Sequence, residues 1–339
     1  MSDAILPLGK LPPELLAQLV AQIPSSDPRV LLGPGVGLDC AVIDTGAPQL
    51  LVLKTEPITF VSAEIGWYGV QVGANDIATT GAVPRWYMTA LLLPQGQTTP
   101  RLVEEILNQI NSACAQLGIT VVGGHTEITH GLDRPLLIGT LIGEVAREAL
   151  VTPRGAQSGD RILLTKGVPV EATAILSREF PDRLAAVLSP AELEEAAAYL
   201  YTPGISVARD ARIAVQAGRV TAMHDPTEGG LASALWEMAE ASGKCFKIDP
   251  AAVPVPRLSR RVCEVFGLNP LAAIASGALL FTAPPSGAPA VCAALQAEGI
   301  LCAEIGEVSE GPFAVWQRLP GGEVPLPRPE RDEITRVYE

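Results

Sequence analysis

The chain has 339 residues, 48% of them hydrophobic and 18% charged, enough apolar material for one large or two ordinary cores, which excludes wholesale disorder. A formal net charge of −13, with no Lys/Arg cluster to offset it, repels phosphate backbones and argues against nucleic-acid binding. No apolar run approaches the ~20 residues of a membrane span, residues 1–25 do not read as a signal peptide, and six scattered cysteines without a CxxC pair read as reduced thiols; the expectation is a soluble, cytoplasmic protein with no membrane partner.

Leu15, Leu16, Leu19, Val20 and Ile23 recur at helical spacing after Pro12-Pro13 and predict an amphipathic N-terminal helix. A loop, G-x-G-x-G-x-D from Gly33 to Asp39, follows. Its glycines allow positive φ and can bring bare N–H groups against an anion; the same pattern also reads as a flexible turn before a strand. It lacks the Lys-Ser/Thr of a Walker loop and the following helix of a dinucleotide fingerprint. Strands are expected at about 41–43 and 50–55.

Residues 62–81 read as a helix on which Gly66, Gly69 and Gly73 form a smooth stripe for close approach. Asp76 lies on that stripe. A carboxylate on a packed face must be paired, hydrogen-bonded or metal-bound, because an isolated buried charge is costly; local N–H groups at the helix end are the alternative partners. A strand at 85–93, a helix at 101–117 and strands at 119–122 and 136–145 complete this half. Just after the first of those last strands, Gly123-Gly124-His125-Thr126-Glu127 reads as a Gly-Gly turn offering backbone donors and side chains for phosphate or metal, or as a simple strand-ending turn. His130 and His224 show no zinc-like spacing with His125.

The polar stretch 151–160 marks the expected domain boundary. Beyond it, strands are expected at 161–165, 220–223, 273–281 and 303–308, and helices at 171–178, 191–200, 205–217, 226–241 and 289–298. In Asp225-Pro226-Thr227-Glu228-Gly229-Gly230-Leu231, the first residue reads as an N-cap, Pro226 suits the first helical position and Glu228 completes a capping box. Capping leaves Gly229-Gly230 unexplained, and the pair predicts a close neighbour, either another backbone or a ligand phosphate. The tail from Leu319 is Pro-rich and charged and reads as a surface arm. GxSxG is absent, and no cysteine sits in a nucleophile pattern.

Each motif is weak alone, but their order is specific. The glycine-loop Asp39, then Asn75-Asp76-Ile77-Ala78-x-x-Gly81-Ala82-x-Pro84, then Gly123-Gly124-His125-Thr126, then Asp225-Pro226-Thr227-x-Gly229-Gly230-Leu231 resembles the superfamily of aminoimidazole-ribonucleotide (AIR) synthetase, HypE, selenophosphate synthetase and thiamine-monophosphate kinase, over roughly residues 30–310. The last motif is most similar to HypE.

The resemblance implies an α+β, PurM-like two-domain fold. Residues 1–150 would form a mixed αβ domain whose strands pair across a homodimer, and residues 151–339 an α+β domain, with ATP in the cleft between them. It further implies that Asp39 and Asp76, with Glu56, hold Mg2+. Gly35, Gly37, Asn75, Gly123, Gly124, Thr126, Gly229 and Gly230 would bind the nucleotide, and Asp225 and His125 would serve catalysis.

The implied activity is transfer of the ATP γ-phosphoryl group to a small-molecule, amide or carbonyl oxygen, the substrate being unidentified. Two departures bear on this. Many relatives carry Asp where this chain has Glu56, and the tail lacks the C-terminal cysteine on which HypE proteins carry the carbamoyl group. The alternatives are thus a non-catalytic nucleotide-binding or assembly homologue, or a HypE-type dehydratase acting on the thiol of a maturation partner protein.

Overall fold

In the computed structural model, residues 5–6, 8–24, 26–59, 61 and 63–338 are described. The chain forms two units, Ser25–Gly33 with Asp39–Leu150, and Met1–Pro24 with Pro34–Leu38 and Val151–Glu339. Across the expected division at residue 150, the first helix, α1 (Pro13–Val20), and the Pro34–Leu38 loop group with the C-terminal residues. Local contacts give the reason. Lys10 donates from its backbone to Glu228 and from Nζ to Thr227 Oγ1, both at 3.1 Å, and a Cβ on Gly37 would lie 2.7 Å from the Glu237 carbonyl.

The N-terminal unit is one six-stranded sheet covered by two helices. In chain order it holds β1 (Val30–Leu32), β2 (Ala41–Ile43), β3 (Gln49–Ile58), α2 (Ile65–Thr79), β4 (Val83–Pro94), α3 (Pro100–Leu117), β5 (Thr120–Thr129) and β6 (Leu136–Ala146). The strand order is β1-β2-β3-β6-β4-β5. Pairs are antiparallel except β4 with β5, whose parallel pairing needs a crossover, and α3 supplies it.

Helix α3 shows how local sequence sets an element. Thr99 Oγ1 accepts from Leu102 N, Ile106, Ile110, Ala113 and Cys114 make one buried face, and Gly118 ends it in the left-handed region. Helix α2 is buried at every position but Trp67, so it packs on all sides. Its glycine stripe makes this feasible, since a Cβ on Gly66 would lie 2.5 Å from the Ile106 carbonyl and one on Gly73 2.5 Å from Leu141 Cδ1. The position expected to start this helix, Ser62, lies outside the described residues.

The C-terminal unit contains β7 (Arg161–Thr165), α4 (Val170–Glu179), α5 (Pro181–Leu184), α6 (Pro190–Ala197), α7 (Ala208–Ala217), β8 (Ala222–His224), α8 (Gly230–Ser242), β9 (Cys245–Ile248), α9 (Arg257–Phe266), β10 (Leu280–Ala283), α10 (Ala288–Ala297), β11 (Cys302–Ser309), β12 (Ala314–Leu319) and β13 (Gly322–Pro325). Its seven-stranded sheet runs β13-β12-β9-β11-β7-β10-β8 and is mixed, with β12 parallel to β9. Leu231, Leu235 and Met238 of α8 share a buried core with Phe246, Ile248, Leu280 and Ile305.

Three expectations change here. The strand foreseen at 273–281 starts only at Leu280, because side chains take the place of a ladder before it: Ser276 N donates to Glu171 and Leu279 N to Thr165 Oγ1. Second, β9 and α9 lie where no element was expected. The tail, finally, is no free arm. It forms the β12–β13 hairpin, Trp236 Nε1 donates to Leu326 O at 3.0 Å, and Leu326, Asp332, Ile334 and Thr335 are buried. No helix among the described residues is long and apolar enough to cross a membrane.

Candidate active site

Strand alternation points Lys54 and Glu56 of β3 to the same face of the sheet. Helix α2 lies against β3, and its Gly73 comes within 4.0 Å of Glu56 Cβ, measured from an ideal Cβ on the glycine. One turn on, Asp76 faces the same way. Asp39 arrives from the loop before β2.

All three acidic side chains meet at one ammonium. Lys54 Nζ is 2.9 Å from Asp76 Oδ2, 2.9 Å from Glu56 Oε2 and 4.0 Å from Asp39 Oδ1. The Lys54 side chain is 13% exposed and that of Asp76 only 3%. Burial by itself would lower the Lys54 pKa, but Asp76, Asp39 and Glu56 outweigh it and hold the ammonium well above its ordinary value. Asp39, Glu56 and Asp76 thus converge although they are 17 and 20 residues apart in sequence. Their oxygen donors suit a hard divalent cation such as magnesium. Asn75 is fully buried one residue before Asp76, about 100° round the helix from it.

Gly123, Gly124, His125 and Thr126 are placed differently from the expectation. They form no turn but the middle of β5, paired in parallel with Met88, Thr89, Ala90 and Leu91 of β4. Gly124 tolerates a φ of +158° and lies so close to β4 that a Cβ would sit 2.5 Å from the Thr89 carbonyl. His125 is exposed on this edge strand, with Nε2 3.3 Å from Glu127 Oε2. Because β6 and β4 intervene between β3 and β5, His125 and Thr126 lie three strand spacings, about 14 Å, from the line of Lys54. Within one chain they do not join the carboxylate cluster.

The C-terminal unit presents a second set of buried acids. The capping reading of Asp225 is corrected, since α8 begins at Gly230 and its N-cap is Gly229, with left-handed φ of 80°. Asp225 is instead 0% exposed in the turn after β8, and its carboxylate oxygens make no hydrogen bond among the described residues. His224 Nδ1 lies 3.9 Å from Asp225 Oδ1. His224 Nε2 is 2.8 Å from Glu237 Oε2.

Gly229 and Gly230 do have the close neighbour that their sequence predicts. A Cβ on Gly230 would meet the Ala273 carbonyl at 2.5 Å; its N–H donates to Thr227 O, and Gly229 N–H donates to Asp332 Oδ2 at 2.5 Å. A phosphate at this helix start would have to displace Asp332. Gly35 and Gly37 shape a tight turn, with Leu38 N donating to Gly35 O at 3.2 Å and Gly37 at φ +69°.

Glu171 and Asp332 complete this set. Burial pushes the Glu171 carboxyl up to about 7, opposed by its hydrogen bonds to Ser276 and reinforced by the charges of Asp332 and Asp225. Burial likewise pushes Asp332 up to about 6 against N–H donors from Ile334, Gly229 and Ile274. Sequence reading passed over Lys54, Glu171 and Asp332. The signal for Lys54 was its two-residue spacing from Glu56 on a strand, and for Glu171 a single charge inside the run from Val168 to Leu176.

Comparison with known proteins agrees with this architecture. The model for the AIR synthase related protein N-terminal domain matches residues 37–145, and that for the C-terminal domain matches 157–317. A carbamoyl dehydratase HypE of Bradyrhizobium diazoefficiens is 30% identical over 284 residues, covering 80% of this chain and 78% of the relative. The crystal structure of hydrogenase maturation protein HypE in complex with ATP is similar at a TM-score of 0.71 and 25% identity, covering 92% of each chain. The crystal structure of a HypE–HypF complex shares the fold at a TM-score of 0.71 and 20% identity, covering 87% of this chain and 94% of that one. The chain belongs to the AIR synthase related protein family and has the two-domain, PurM-like fold of HypE.

Proposed function

We propose that this chain is an ATP- and magnesium-dependent enzyme that moves the γ-phosphoryl group onto an amide or carbonyl oxygen, in the manner of a carbamoyl dehydratase. The observation that carries the reading is the meeting of Asp39, Glu56 and Asp76 at one cationic position. Its similarity to a named carbamoyl dehydratase and to an ATP-bound HypE supports it. Magnesium, when bound there, supplies charge neutralisation for phosphoryl transfer. Asp76 anchors that position from a rigid, buried helix, while Glu56 reaches from the strand and Asp39 from the loop. Fixed carboxylates of this kind need no reorganisation as charge develops.

With a primary amide as acceptor, the carbonyl oxygen bonds to the γ-phosphorus as the bridging bond to ADP breaks. Loss of phosphate and of the two N–H protons then leaves a nitrile. Asp225, buried and with no hydrogen bond to its carboxylate among the described residues, is the C-terminal unit's own candidate for a proton acceptor. Within the N-terminal unit the nucleotide is assigned to Asn75, buried beside the acidic cluster. Among the described residues every thiol is buried or half-buried, which favours an amide presented by another molecule, either a small substrate or a maturation partner, over one carried on this chain's own described cysteines.

A homodimer belongs to the same proposal. Strand β5 is a sheet edge along which Val121, Val122 and Ile128 are exposed, the last at 57%, and a bare apolar edge invites pairing with a second copy. Gly123, Gly124, His125 and Thr126 lie on that strand, so their assigned roles depend on what the partner brings to them. The test is calorimetric titration of ATP with and without magnesium into wild type and Asp76→Ala. Magnesium-dependent binding that Asp76→Ala abolishes is expected; equal binding in both proteins removes the site as drawn.

A further inference from the structure

The side chain at the centre of the acidic cluster is itself a cation, and nothing in the proposed activity needs it. Lys54 extends from β3, where Val52 and Ile58 on the same face are buried, and its Nζ touches Glu56 and Asp76 at 2.9 Å with Asp39 at 4.0 Å. A lysine placed among apolar neighbours on a strand incurs a desolvation cost, which the three carboxylates offset. Those carboxylates likewise would repel one another without it.

Formal charge states the consequence. Three carboxylates and one ammonium leave −2, the charge that one divalent ion neutralises; three carboxylates alone leave −3. The ammonium also stands where a metal ion would draw the same oxygens together, so the two cations compete for space as well as charge.

We infer that Lys54 is a resident monovalent cation of this cluster, one that weakens divalent-ion binding and limits how many such ions the cluster accepts. The inference rests on the metal reading proposed above but goes beyond it, because it assigns the affinity and number of ions to a residue that ligates none. Its chemical prediction is specific to divalent cations at the Asp39–Glu56–Asp76 cluster. An uncharged side chain of similar length should open the site, whereas arginine should keep it guarded.

The experiment titrates Mn2+, read by electron paramagnetic resonance without nucleotide, into wild type, Lys54→Met, Lys54→Gln, Lys54→Arg and Asp76→Asn. Lys54→Met and Lys54→Gln should bind Mn2+ at least about tenfold more tightly than wild type, from the loss of one adjacent positive charge. Lys54→Arg should stay near wild type and Asp76→Asn should fall below it. Thermal melting gives a second reading that survives a loss of stability: Mn2+ should raise the midpoint of the Met and Gln variants more than that of wild type. Equal affinities and equal melting shifts for wild type and both uncharged variants overturn the inference, while Mn2+ binding lost only in Asp76→Asn leaves the metal reading standing. Binding by none of the proteins removes the metal reading and the inference together. Binding by the uncharged variants but not by wild type upholds the inference and shows that Lys54 excludes the ion altogether.

Discussion

Asp76 is fixed by a buried helix and Asp39 by a loop, yet both address the same ammonium, and each is expected to matter to turnover. Asp39→Asn and Asp76→Asn should each lower ATP turnover at least about tenfold, on the order of 1.4 kcal/mol of transition-state stabilisation, measured as the rate of phosphate release. Unchanged rates would separate these carboxylates from the chemistry. A second residue-level expectation concerns Glu171. Its carboxyl is pushed up to about 7, so the folded state holds a proton that the unfolded chain releases near its ordinary value. The stability from that proton is complete below the unfolded value and is lost as pH rises through about 7. Urea denaturation should therefore show Glu171→Gln gaining on wild type from pH 5 to pH 8, by about 3 kcal/mol at most. A difference between the two proteins that does not change with pH would refute it. Of these residues, Asp39 and Asp76 could be picked from motif order, whereas Glu171 could not, since its raised affinity for a proton comes from burial beside Ser276, Asp225 and Asp332.

At the level of elements, the stripe on α2 sets how closely that helix can lie on its neighbours. Gly66→Ala would improve helix propensity by about 1 kcal/mol but force a methyl against the Ile106 backbone carbonyl, which cannot swing aside as a side chain can. The net result should be destabilisation of about 1–3 kcal/mol by urea denaturation, the usual range for overpacking. An alanine variant as stable as wild type would mean that α2 and α3 can part freely. Elsewhere, α10 and β11 bring Cys292 and Cys302 to an Sγ–Sγ distance of 2.9 Å, with Cys292 half-buried. Two thiols this near should be oxidised by hydrogen peroxide to an intramolecular disulfide, each peroxide being reduced to two waters. Intact mass should fall by about 2 Da, the two thiol hydrogens, and Cys292→Ser should abolish the change. Stepwise oxygen addition in wild type without that loss would contradict it.

For the whole molecule, the exposed edge at β5 bears on assembly. Ile128→Lys places a charge on that edge and should shift a dimer to monomer, measured by light scattering after gel filtration, with the thermal midpoint of the monomer little changed. Wild type already monomeric at micromolar concentration would remove the proposed dimer. The family and the two-domain architecture were readable from motif order, because these glycine and acidic motifs recur in sequence whatever their surroundings. The tail was not readable. Its prolines and charges resemble a free arm, and only the docking of Leu326 beneath Trp236 and of Ile334 into the core shows otherwise.

The sequence by itself determined most helix and strand positions in the N-terminal half, which depend on periodicity and residue chemistry and are local. The carboxylates expected at a metal came instead from motif order, through the family resemblance. Tertiary structure decided that Gly123–Thr126 lie along a sheet edge rather than in a turn, that Gly229 is occupied by Asp332, and that Lys54 sits among Asp39, Glu56 and Asp76. Strand order and long-range packing set those outcomes, and the one local trace they left is the two-residue spacing of Lys54 and Glu56 on β3.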